Sequence, residues 1–170
     1  MNSAIGIDLG GTDIKYALVR EDGNVLYESL RPTEAETSRE RILKNITEAA
    51  GEVMRFAQKK QQKIIGMGIG TPGIVEGGKV LGSAENLKDW ENLPLGEILE
   101  QQLNLPVFVE NDASVLGLAE ARYGTAKGDR DVIFLTVGTG IGGTMILNGR
   151  PKCCVCWRLK PRARTDGGRY

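Results

Sequence analysis

The chain contains no histidine. A His general base, a Ser–His nucleophile pair and a His-ligated metal are therefore excluded from its chemistry. Cysteine is absent from residues 1–149, and all three cysteines (Cys153, Cys154 and Cys156) lie beyond that point. No apolar run approaches the ~20 residues of a membrane span, and the start lacks a basic-then-apolar signal pattern. A cytoplasmic location is the expectation. Net charge is also lacking, but the zero hides a break. Residues 1–149 carry 15 basic and 21 acidic side chains, a net of −6; residues 150–170 carry seven and one, a net of +6. So abrupt a shift marks a boundary. What remains is ordinary for a soluble globular chain: 41% hydrophobic and 26% charged residues, with room in 170 residues for one core, or one lobe and part of another.

The most informative stretch is residues 4–19, AIGIDLGGTDIKYALV. Two β-rich runs meet at a Gly-Gly-Thr corner, which reads as a hairpin. Without side chains at Gly10 and Gly11, backbone N–H groups can approach an anion closely. Thr12 adds a hydroxyl donor and Lys15 a positive charge. Asp8 would repel a phosphate directly, and makes sense if a divalent cation lies between them. An ordinary turn with a surface aspartate is the competing reading.

Further on, residues 25–30 give a third strand ended by Pro32, so the chain opens as an antiparallel meander. Residues 37–40 (TSRE) match a helix capping box. Behind them Ile42, Ile46, Ala49 or Ala50, Val53 and Ala57 recur at helical spacing, predicting an amphipathic helix that ends near residues 59–62. Residues 63–70 (KIIGMGIG) read as a strand buried on both faces and parallel to the first. It runs into Thr71-Pro72-Gly73 at its C-terminal end, where open α/β sheets bind ligands. A small hairpin over 75–80, a polar loop over 83–90, a short helix over 94–103 and a second buried strand over 106–110 follow. A helix over 113–123 closes at Gly124.

A strand over 131–137 then meets a second glycine corner, residues 138–143 (GTGIGG), with a return strand over 144–149. Repetition of the opening plan suggests an internal duplication with nucleotide phosphates held between the two corners. Asp112 sits where a strand turns into a helix. There the dipole favours an ionised carboxylate, able to accept a proton from a sugar hydroxyl attacking phosphorus. A plain N-cap is the alternative. Asn111 and Asn86 could hydrogen-bond further hydroxyls.

Asp8-LGGT with Lys15, Gly70-TPG, Glu110-Asn-Asp112 and Thr136-VGTGIGG occur in order over residues 4–149. Together they resemble the ROK family (repressors, open reading frames, sugar kinases) of the actin-like ATPase superfamily. The resemblance implies an α/β fold: a ribonuclease-H-like lobe, with a mixed sheet and flanking helices, plus the start of a second such lobe. Residues 1–124 would form the first lobe, 125–149 the opening hairpin of the second, and 150–170 an aberrant basic tail. It further implies ATP-dependent phosphorylation of a hexose, glucokinase-like members being the commonest expectation. Asp112 would be the catalytic base, and Asn111, Asn86 and backbone around Gly73 would bind sugar. Asp8 would act on Mg²⁺. Gly10, Gly11 and Thr12, with Thr136, Gly138, Thr139, Gly140, Gly142 and Gly143, would hold the phosphates of ATP. A homodimer is implied for a full-length form.

The departure lies after Gly149. The family continues with a Gly-Glu-x-Gly-His segment that completes the sugar site and helps hold a zinc ion, whereas this chain reads PKCCVCWRLK. Zinc needs about four ligands, so none is expected here. A reading-frame shift near Arg150 is the simplest origin of the tail. A basic tail for nucleic acid or acidic lipid is the competing idea. The sequence therefore predicts a sugar kinase whose second hairpin lacks neighbouring strands, and whose activity is open. Its rivals are a sugar-responsive repressor, although the first strand leaves no room for a preceding helix-turn-helix, and a sugar-binding fragment without catalysis.

Overall fold

The computed structural model describes residues 1–84, 86–137 and 141–157. β1 (Asn2–Leu9), β2 (Asp13–Arg20) and β3 (Val25–Pro32) form the expected antiparallel meander, β3 running on to Pro32 itself. Side chains alternate across a strand, so Ile5, Ile7 and Leu9 of β1 and Ile14, Tyr16 and Leu18 of β2 are buried on one face. Asp8 and Lys15, cross-strand partners, occupy the other.

α1 (Arg39–Lys59) covers the apolar face with the predicted stripe: Ile42, Ile46, Ala49, Ala50, Val53 and Ala57 are all buried. Its cap differs from the prediction by one residue. Ser38, not Thr37, is the N-cap, its side chain accepting from Arg41 N at 3.2 Å. The Thr37 hydroxyl instead donates to Glu34 O at 2.6 Å, which removes it from the helix start.

β4 (Lys63–Thr71) pairs parallel with β1, and β7 (Val107–Asn111) pairs parallel with β4. The sheet order is β3-β2-β1-β4-β7. Between β4 and β7 the chain makes the small hairpin of β5 (Ile74–Glu76) and β6 (Lys79–Gly82), then α2 (Leu95–Leu103), which lies against β7. The expectation that β4 and β7 are buried on both faces does not hold. Phe108 is 74% exposed and Ile65 51%. Among the described residues, α1 and α2 cover one face of the sheet, and α3 (Asp112–Tyr123) meets the other near the C-terminal ends of β4 and β7.

α3 also packs against a second sheet, of order β10-β9-β8. β8 (Val132–Val137) and β9 (Ile141–Leu147) form the predicted second hairpin. β10 (Arg150–Trp157) pairs antiparallel with β9. This corrects two expectations: the second hairpin has a neighbouring strand, and the first residues of the basic tail belong to the sheet. Backbone pairing needs no side-chain period, and for that reason the composition break at Arg150 hid the strand. Residues 158–170 lie outside the described part.

Candidate active site

Three strand ends and one helix start define the site. Asp8 is the penultimate residue of β1, and the register places it beside Gly70 of β4, which in turn lies beside Glu110 of β7. Glycine at position 70 leaves no side chain between the acids. A Cβ there would stand 3.5 Å from Asp112 Cα. Asp8 is largely exposed, with Lys15 Nζ at 3.9 Å. So open an ion pair adds at most about 1 kcal/mol.

The corner after β1 is braced from behind. Gly10 N–H donates to Asp13 O at 3.0 Å, closing the turn, and Thr33 ties both sides of it. Thr33 N–H donates to Thr12 O at 2.8 Å and its hydroxyl to Gly10 O at 2.7 Å. The Gly10 amide is thus used inside the corner. Thr33 went unnoticed in the sequence because nothing in its neighbourhood marks a partner some twenty residues back. Asn86 sits over the corner: a Cβ on Gly11 would lie 3.1 Å from its Nδ2.

Gly73 holds φ at +103°, a conformation open to glycine, and a Cβ would come 2.6 Å from Gly82 O. Its carbonyl accepts from Asn111 Nδ2 at 2.9 Å, while Asn111 Oδ1 accepts from Ser114 N at 3.2 Å. Asn111 is therefore the N-cap of α3 and also fastens the glycine–proline loop to it. That settles one alternative for Asp112. The cap is Asn111, and Asp112 is the first helical residue.

Asp112 departs from the expectation in its electrostatics. Its carboxyl titrates above the ordinary carboxylate range, not below. Partial burial raises it most, and the charge of Asp8 raises it further; the Ala113 N–H at 2.7 Å and Asn111 oppose this without prevailing. Desolvation outweighs the favourable helix start. The residue nevertheless remains exposed to solvent.

Gly142, from the described part of the second glycine corner, reaches the same place. Thr136 pairs with Gly142, and a Cβ on Gly142 would be 2.7 Å from Thr136 Oγ1 and 3.3 Å from Ala113 Cβ. Gly143 is equally crowded, 2.8 Å from Phe134 O. Gly138, Thr139 and Gly140 lie outside the described residues. Asp8, Gly11, Gly73, Asn86, Asn111, Asp112, Thr136 and Gly142 thus converge where β1, β4 and β7 end and α3 begins.

Among the described residues no group of three or more acidic, cysteine or histidine side chains is placed to hold a metal. Mg²⁺ does not require one, since it takes one or two carboxylates and completes its shell with water and substrate phosphate. The open oxygen donors of Asp8 suit it.

The ROK family pattern matches residues 4–153. The chain belongs to the ROK family. It is 37% identical over 147 residues to a glucokinase of Thermotoga maritima, covering 85% of this chain and 44% of that protein. It is 36% identical over 152 residues to a xylose repressor of Caldicellulosiruptor bescii, covering 88% and 38%. A crystal structure of a ROK family glucokinase from Streptomyces griseus, in complex with glucose and AMPPNP, superposes with a TM-score of 0.77 at 33% identity, over 92% of this chain and 48% of that one. The mixed α/β architecture is that of these actin-like ROK structures. The chain spans about half the length of the relatives it matches. No described helix is long and apolar enough to cross a membrane.

Proposed function

We propose that this chain supplies the acceptor and phosphate side of an ATP-dependent hexose kinase of glucokinase type. The observation that carries the reading is Asp112: an acid at a helix start, relieved of capping by Asn111 and facing Asp8 across a side-chain-free gap at Gly70. A carboxyl raised above its ordinary value by partial burial, yet exposed to solvent, suits a group that takes a proton from a sugar hydroxyl. Asn86 and the Gly73 backbone orient that hydroxyl; Asn111 is fully buried with both ends of its amide engaged, so it acts by holding the Gly73 loop to α3. Thr12, the Gly11 backbone, Lys15 and the second glycine corner with Thr136 bind phosphate oxygens. Mg²⁺ held at Asp8 would neutralise phosphate charge.

The test is glucose-dependent ADP release from ATP and Mg²⁺ by the wild-type chain and by Asp112→Asn. The variant should lose about 10²–10⁴-fold in turnover, the usual contribution of a general base, while retaining its circular dichroism. Equal turnover in the two proteins overturns the base assignment. The xylose repressor likeness favours a second reading, sugar binding in the service of regulation. Glucose uptake without any ADP release would select it.

A further inference from the structure

Trp90 and Thr71 are joined by a buried hydrogen bond that the proposed chemistry does not use. Trp90 Nε1 donates to Thr71 Oγ1 at 3.0 Å, and both residues are completely buried. The same hydroxyl donates to Pro72 O at 3.2 Å, so it is engaged as donor and acceptor. A buried indole N–H without an acceptor is costly. Moving Trp90 off Thr71 would therefore be resisted on both sides.

The bond lies at a junction. Thr71 is the last residue of β4 and pairs in register with Asn111, whose amide holds Gly73 and starts α3. Trp90 closes the 83–90 segment, which sinks Ala84 and Leu87 into the core and carries Asn86 over Gly11. The segment's other ties, Lys88 N–H to Ala35 O at 3.2 Å and Arg39 Nε to Asp89 O at 2.8 Å, fasten it to the α1 side of the lobe. Thr71–Trp90 fastens it to the strand that ends at the cleft.

We propose that the Trp90–Thr71 hydrogen bond is a latch that sets the 83–90 segment, and with it Asn86, at the mouth of the cleft. Thr71 and Trp90 are positioning residues that act through Asn86. The inference rests on the reading of Asn86 as a sugar contact.

The experiment uses the whole chain and Thr71→Val, which keeps the shape and removes the acceptor, with Thr71→Ser, which keeps it. Trp90→Phe removes the donor from the other side. Glucose affinity by titration calorimetry should fall about tenfold in Thr71→Val, which leaves the Trp90 indole N–H unsatisfied, and also in Trp90→Phe, which removes the latch from the other side, whereas Thr71→Ser should keep wild-type affinity. Amide exchange at Leu87 and Lys88 should quicken in the same two variants, with α1 unchanged. In an Asn86→Ala background Thr71→Val should weaken glucose binding no further, because both changes remove one contact. Additive losses, a Ser variant as weak as Val, or unchanged affinity in Thr71→Val overturn the latch. If the wild-type chain takes up no glucose, the sugar reading fails by itself. Exchange then decides the latch: faster at Leu87 and Lys88 in Val but not in Ser upholds it, and no change overturns it.

Discussion

Asp112 concentrates the residue-scale argument, since its position was legible and its electrostatics were not. Any acid following an apolar strand invites the cap reading, and only the coordinates assign that role to Asn111. The raised carboxyl has a consequence for stability. Between the ordinary value of 3.8 and its raised native value, the folded chain binds more protons at Asp112 than the unfolded chain does. Stability therefore falls as pH rises through that window, and the penalty is complete above it. Asp112→Asn removes the penalty. Its melting temperature should exceed that of the wild type at pH 7, with the advantage vanishing below pH 3.8; an equal or lower value at pH 7 contradicts the assigned cause. Thr33, Thr71 and Trp90 show what the sequence conceals. Each is tied by hydrogen bonds to residues distant in the chain, and no local pattern records such partners.

At the scale of elements, periodicity was a reliable guide where one face is buried and misleading where a sheet is unevenly covered. The stripe of α1 was read correctly because each member contacts the same sheet face. β4 and β7 look buried on both sides because their residues are small or apolar, yet Phe108 faces solvent. α3 is the element that connects everything. It starts on β7, lies over Gly70 and packs against the second sheet. Gly117 permits that contact, for a Cβ there would fall 2.2 Å from Thr144 Cγ2 and 3.1 Å from Phe134 Cβ. In an exposed helix Gly→Ala stabilises by about 1 kcal/mol. Here the sign should reverse: Gly117→Ala should destabilise by about 1–3 kcal/mol through overpacking, read from urea unfolding. A stabilised variant would show that α3 and β9 are not in close contact.

On the scale of the whole molecule, α3 sets Gly142, from the described part of the second corner, beside the strand ends at Gly70, although the two lie far apart in the chain. Gly142 lies against Ala113, next to Asp112; that two similar hairpins hold nucleotide phosphates between them is the proposal. Among the described residues, Ile133 and Leu135 of β8 stand 73% and 65% exposed, as expected of a hairpin at the edge of an incomplete lobe. Gly73, Asn86 and Asp112, from three separate segments, are proposed to form one sugar site. The most direct measurement is a glucose titration of the isotope-labelled chain followed by amide NMR shifts. Saturable shifts are expected at Gly73, Asn86 and Asp112 with a common midpoint, and none at Leu43 or Gln102 on the α1–α2 side. Shifts confined to that other side, or no saturable shift at the three residues, would contradict it.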